Sequence, residues 1–150
     1  MRVSLKEESI TIRKVWQDDE DEKFFQILIT ASSDTITAST RVYSTSEMID
    51  ELLSKLSEFI DGNVNETLWE NGEKGDGATA FLSLRFLRKN RLGHVLVEVY
   101  MELDDGGKFS EHHCCFYVST ELGLLEKFYR QLYFLKEPRL EREIVLNEVE

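Results

Sequence analysis

The apolar residues of this chain recur with two different periods, and the order in which those periods alternate constrains the fold more than any other feature. Up to Tyr43 they mostly alternate with polar residues, as in strands; over "STSEMIDELLSKLSEFIDG" they return every three or four positions, as in a helix; then both patterns repeat. In the first helical stretch Met48, Ile49, Leu52, Leu53, Leu56, Phe59 and Ile60 share one face, and Asp50, Glu51, Lys55 and Glu58 fill the other. Ser44 and Glu47 have capping-box spacing ahead of it, and Gly62 is a natural stop. The second stretch, "TELGLLEKFYRQLYFLKE", gathers Leu125, Phe128, Tyr129, Leu132 and Leu135 on one side, with Glu126 and Arg130 one turn apart on the other.

The strand-like segments are short and punctuated by turns. "SITIRKVW" runs into the solvated turn "QDDEDEK", and "KFFQILITASS" and "TITASTRVY" flank a turn at Ser32, Ser33 and Asp34. "TAFLSLRFL" and "HVLVEVYMEL" form a hairpin around "NRLG", "KFSEHHCCFYVS" follows the "DDGG" turn, and "LEREIVLNEVE" is a short strand or an extended acidic end. Strands joined by tight turns instead of crossovers imply antiparallel pairing. The expected fold is therefore α+β, an antiparallel β-sheet of about six to seven strands with two amphipathic helices packed on one face. With one proline and no Ser/Gly linker, a single domain over residues 1–150 is expected. The halves also rhyme: an offset of 76 superposes Leu52, Leu56 and Phe59 on Phe128, Leu132 and Leu135.

Charge narrows the choice of partner. The 29 acidic residues against 18 basic ones give a formal net charge of −11, which opposes nucleic acid and anionic membrane surfaces. A field of that sign speeds the approach of a basic protein, although acidic surfaces also serve solubility alone. The first residues contain no apolar core of a signal peptide, and no window approaches the roughly 20 apolar residues of a membrane span. The two cysteines, Cys114 and Cys115, are adjacent and ill placed for a bridge, so a reducing, cytoplasmic location is expected.

"EHHCC" looks at first like a metal site. Strand alternation splits it, His112 and Cys114 to one face and His113 and Cys115 to the other, whereas a structural zinc needs four ligands and a catalytic one three. His94, on the partner strand, adds at most a third. No metal and no cofactor is expected. A Cys115 nucleophile activated by His113 lacks any visible third group or oxyanion element, and no catalytic residue is assigned. The run Asp18 to Glu22 lacks the glycine and distal glutamate of a calcium loop, and "NGEKGDGAT" precedes a strand where a phosphate cradle needs a helix. Trp16 and Trp69 lie beside acidic loops, and Tyr43 and Tyr100 sit on strands. Each is either a core residue or an interface anchor.

The stretch from "TASTRVYSTSEMIDELLSKLSEFI" through "AFLSLRFLRKNRLGHVLVEVYMEL" to "CCFYVSTELGLLEKFYRQLYFL" spans about two-thirds of the chain and resembles the small bacterial immunity proteins of the WapI-associated type. The resemblance rests on the acidic helix start from Thr45 to Leu52, on Leu92, Gly93, His94, Val97, Glu98 and Val99, and on Phe116, Thr120 and Leu124 at a strand-to-helix junction. It implies an immunity protein that binds and neutralises a cognate intercellular toxin in the producer's cytoplasm, and it carries no catalytic residues across. If that toxin is a basic nuclease, an acidic inhibitor would reach it quickly and cover its nucleic-acid site. The acids on expected turns, Asp18, Asp19, Asp21, Asp104 and Asp105, are then the expected contacts. Two other classes stay open: a small hydrolase or redox protein using Cys115 and His113, and an oligomeric adaptor domain.

Overall fold

The computed structural model describes residues 4–72, 80–103, 112–138 and 142–149. In chain order the elements are β1 (Ser4–Gln17), β2 (Phe24–Ser32), β3 (Thr37–Thr45), α1 (Ser46–Ile60), β4 (Glu66–Asn71), β5 (Phe81–Arg88), β6 (His94–Glu102), β7 (His113–Glu121), α2 (Leu122–Leu132) and β8 (Glu143–Val149). A 3-10 turn at Tyr133–Lys136 extends α2.

The fold is α+β with antiparallel pairing throughout, but the strands form two four-stranded sheets, ordered β3-β2-β1-β8 and β4-β5-β6-β7, where one sheet of six to seven strands was expected. A helix separates the two meanders, so β3 never comes into register with the next long strand. Each helix instead leads into a short strand that crosses to the other half: β4 joins β5, and β8 joins β1. The β4 segment "ETLWEN" gives almost no period-two signal because its inward positions include Trp69 and the polar Asn71, both fully buried.

The architecture is thus one strand-strand-strand-helix-strand unit used twice, with the last strands exchanged. The ladders agree residue by residue. Ile10, Ile12 and Lys14 face Ala31, Ile29 and Ile27 in the first unit, and Leu82, Leu84 and Phe86 face Met101, Val99 and Val97 in the second. Between β3–α1 and β7–α2 the offset of 76 holds from Thr37 and His113 through the first helical residues, Ser46 and Leu122.

The helix starts where β3 ends because Thr45, not Ser44, is the N-cap: its Oγ1 accepts from the Met48 backbone N–H at 3.2 Å. Ser44 is turned inward, 1% exposed. Gly62, just past the C-cap at Asp61, takes φ +83, the left-handed conformation that suits glycine at a helix end. Ile49, Leu52, Leu53, Leu56 and Phe59 of α1 and Leu125, Phe128 and Leu132 of α2 merge with the inward strand residues into one continuous apolar cluster. Burial of each large side chain there stabilises the fold by about 1.5–3 kcal/mol.

Both helix ends are closed by a cation from the other half of the molecule. Arg88 of β5 donates to the Phe59 carbonyl at the end of α1 and lies over the Phe59 ring, 4.9 Å from its centre. Lys14 of β1, 2% exposed, donates to the Glu137 carbonyl beyond the 3-10 turn at 2.5 Å and lies 4.4 Å over Phe25. Positive charge at the carbonyl end of a helix is attracted to the negative end of its dipole, and together with the Phe25 ring this accounts for a buried lysine in an otherwise apolar row. Among the described residues no helix is long and apolar enough to cross a membrane.

Candidate partner-binding surface

Strand alternation sorts β7 as expected. Phe116, Val118 and Thr120 are buried, while His113, Cys115, Tyr117 and Glu121 are exposed. Cys114 packs against the core cluster, and burial pushes its thiol pKa up, away from a reactive thiolate. The register overturns the idea of His94 as a third ligand: it pairs with Glu121 at one end of the β6–β7 ladder, whereas His113 pairs with Glu102 at the other. Eight residues separate those ends, roughly 27 Å at strand rise. Among the described residues no group of three or more His, Cys, Asp or Glu is arranged to hold a metal ion. Cys115 and His113 share the outer face with Tyr100 and Tyr117, and the His113 ring lies 6.3 Å from that of Tyr100.

The outer face of the first sheet carries a different arrangement. Trp16, Phe24 and Tyr43 come from three adjacent strand ends and meet there: Trp16 stands edge-on to Phe24 at 5.6 Å and to Tyr43 at 5.9 Å, and Phe24 stacks on Tyr43 at 5.4 Å. A one-residue slip in the β1–β2 register between Lys14 and Trp16 turns Trp16 outward opposite Gln26, whose other neighbour is Tyr43. Contact among themselves does not bury these rings. Trp16 remains 40% exposed and Tyr43 56% exposed, a concentration of aromatic surface that a water-facing sheet does not need.

The acidic turn lies directly beside this cluster. Asp18 Oδ1 accepts from the backbone N–H groups of Glu20 (2.8 Å) and Asp21 (3.1 Å), and Asp21 Oδ1 accepts from that of Lys23 (2.9 Å). Asp18 and Asp21 therefore shape the turn, while Asp19, Glu20 and Glu22 project from it without an ion-pair partner among the described residues. Gln17 fixes the turn from below, its Nε2 donating to the carbonyls of Glu22 at 3.0 Å and Phe24 at 3.1 Å. Its Oε1 accepts from the buried Lys14 at 2.8 Å, so the acidic turn is tied to the end of the second helix.

The internal repeat supplies a control. At the corresponding strand ends of the second unit stand Leu87, His94 and Ser119, and the corresponding turn reads "KNRLG" where the first has "DDEDEK". The same backbone is built there without an aromatic cluster or an acidic turn, so neither is an architectural requirement.

Of the other expected residues, Trp69 belongs to the core, fully buried with its Nε1 donating to the Met48 carbonyl at 2.9 Å. Tyr100 is partly covered, and its hydroxyl donates to Glu102 at 2.6 Å. Burial, followed by that hydrogen bond, pushes its pKa up to about 12. Asp104 and Asp105 lie outside the described residues. Phe24 escaped sequence reading because "FF" offers two equivalent choices for the inward ring; the β2–β3 register turns Phe25 in and Phe24 out. Beyond the aromatic cluster the face continues into a polar cleft of about 500 Å³ lined by Gln26, Leu28, Arg41 and His112. No family model matches the sequence, and no curated protein matches it.

Proposed function

We propose that this protein is a non-enzymatic immunity protein that binds and neutralises a basic intercellular toxin through the Trp16–Phe24–Tyr43 cluster and the turn beside it. The carrying observation is the pairing of exposed aromatic rings with unpaired carboxylates at one sheet end, where the repeat shows that the fold requires neither. Trp and Tyr anchors surrounded by charge are the composition of energetic centres in protein interfaces. Carboxylates at the rim raise association rates with a cationic surface. The resemblance of the three long segments to WapI-associated immunity proteins supplies the biological role, in the cytoplasm of the producing cell.

The test is protection. The gene is expected to follow one for a large toxin, and co-expression with that toxin's terminal domain should restore growth. Trp16→Ala together with Tyr43→Ala should abolish the rescue while leaving the protein folded. Full protection by the double variant would overturn the assignment of this surface, and absence of such a toxin gene would overturn the immunity role.

A further inference from the structure

The two hairpin tips that the repeat makes equivalent carry opposite charge, and neither neutralises itself. The β1–β2 tip, Asp18 to Lys23, contains five acids and one lysine. The β5–β6 tip contains Lys89 and Arg91 and no acid. Neither Lys89 nor Arg91 has an ion-pair partner among the described residues, although six other pairs are made elsewhere. Between them and the β6 strand stands Leu92, 82% exposed, the most exposed large apolar side chain described.

The basic tip is rigidly presented. Asn90 Oδ1 accepts from the Leu92 backbone N–H at 2.9 Å, Asn90 Nδ2 and His94 Nδ1 lie 2.8 Å apart, and Gly93 takes φ +87 to close the turn. The Gly93 carbonyl is held in turn by the N–H of Leu122 at the start of α2. An ordered loop with an apolar apex and two unpaired cations complements an ordered loop with unpaired acids beside three aromatic rings.

We propose that the basic tip of one copy docks on the acidic aromatic tip of a second copy, giving a weak head-to-tail association. Arg91 and Lys89 would face Asp19, Glu20 and Glu22, with Leu92 against the Trp16–Tyr43 rings. Because the two surfaces differ, the contact is heterologous, and the pair keeps one unused acidic tip on one copy and one unused basic tip on the other. The net charge of −11 opposes any meeting of two copies. That repulsion is spread over the whole molecule and screened beyond about 10 Å at 0.1 M salt, whereas the tip charges would meet within ion-pair range. The contact is small beside a standard interface, so its strength belongs in the upper micromolar to millimolar range. It draws on the acidic tip also proposed for toxin binding but does not depend on that reading.

Sedimentation velocity at about 0.1 M salt tests it. The weight-average mass of the full chain should rise roughly 1.5-fold as concentration approaches about 1 mM, and fall back to the monomer value at 1 M salt. Lys89→Glu with Arg91→Glu should abolish the rise, and so should Asp19→Lys with Glu20→Lys and Glu22→Lys. Mixing these two variants should restore it, since acidic tips then face basic ones. All the substitutions are at exposed side chains, and unchanged circular dichroism would exclude misfolding. A constant monomer mass for the native chain overturns the proposal. So does association that survives either reversal, or a mixture that stays monomeric.

Discussion

Asn71 and Asn147, 76 positions apart, hold corresponding posts: Nδ2 of Asn71 donates to the Tyr43 carbonyl at 2.8 Å, and Nδ2 of Asn147 donates to the Ser119 carbonyl at 2.7 Å. Each ties the strand after a helix to the strand before it, which closes each unit across the junction of the two sheets. They differ in how completely they are satisfied. Asn147 also donates to the Glu8 carbonyl at 2.8 Å, and its Oδ1 accepts from Thr120 Oγ1 at 2.6 Å. Asn71 Oδ1 is buried with no partner among the described residues, because Ser44, the counterpart of Thr120, turns its hydroxyl toward the Met48 sulfur at 3.9 Å.

That difference sets an order of stabilities. Asn147→Ala leaves two carbonyls and a hydroxyl without a partner and should cost about 2–4 kcal/mol, while Asn71→Ala strands one carbonyl and should cost about 1–2 kcal/mol. Urea denaturation of the two variants checks this. Equal losses would mean that the Thr120 and Glu8 bonds contribute nothing.

Lys14 gives a pH-dependent prediction. Burial lowers its folded pKa below the ordinary lysine value of 10.5, against a smaller raising effect from the Glu137 carboxylate. Between the lowered value and 10.5 the unfolded chain binds the extra proton, so stability rises with pH across that window. Relative to Lys14→Met, which fills the space without the charge, the native chain should gain stability as pH climbs toward 10.5. Paired urea titrations at pH 8 and pH 10 measure the difference, and a gap that is constant or moves the other way would contradict the buried-charge account.

What the sequence disclosed follows from how strongly each residue's neighbours constrain it. Both helices and six of the strands were legible because their apolar residues repeat with a clean period, from Ile49 to Phe59 or from Val95 to Val99. The offset relating Leu52 to Phe128 was legible too, and the topology gives it meaning. The division into two sheets was not, because it depends on where β4 and β8 pair, and their inward positions include Asn71 and Asn147, which look like surface residues. Trp16 and Tyr43 were visible as candidates, but their meeting depends on a register slip beside Trp16 that composition does not encode.

The two tryptophans should report separately. Trp69 is fully buried and Trp16 is exposed beside carboxylates. Fluorescence of the native chain should be quenched by caesium and much less by iodide, since the acidic turn attracts cations and repels anions. Trp16→Phe should remove nearly all quenching, with a stability change under about 1 kcal/mol, against about 3–5 kcal/mol for Trp69→Ala. Equal quenching by both ions would mean that the carboxylates do not govern the field at Trp16.

Tyr100 provides a last check, on the opposite sheet. Its hydroxyl donates to Glu102, and its pKa is pushed up to about 12 by burial and by that bond. Tyr117 is raised as well, first by its hydrogen bond to Glu98 and then by the nearby charge. For a group that loses a proton later in the folded state, the folded chain holds the extra proton above the unfolded value of 10.0. The stabilisation is therefore complete below pH 10 and is lost as pH rises toward 12. Tyr100→Phe lacks it at every pH, so the stability gap between native chain and variant should shrink across that range. Ultraviolet titration should show one tyrosine fewer ionising late in the variant, and an unchanged late step would show that another residue carries it.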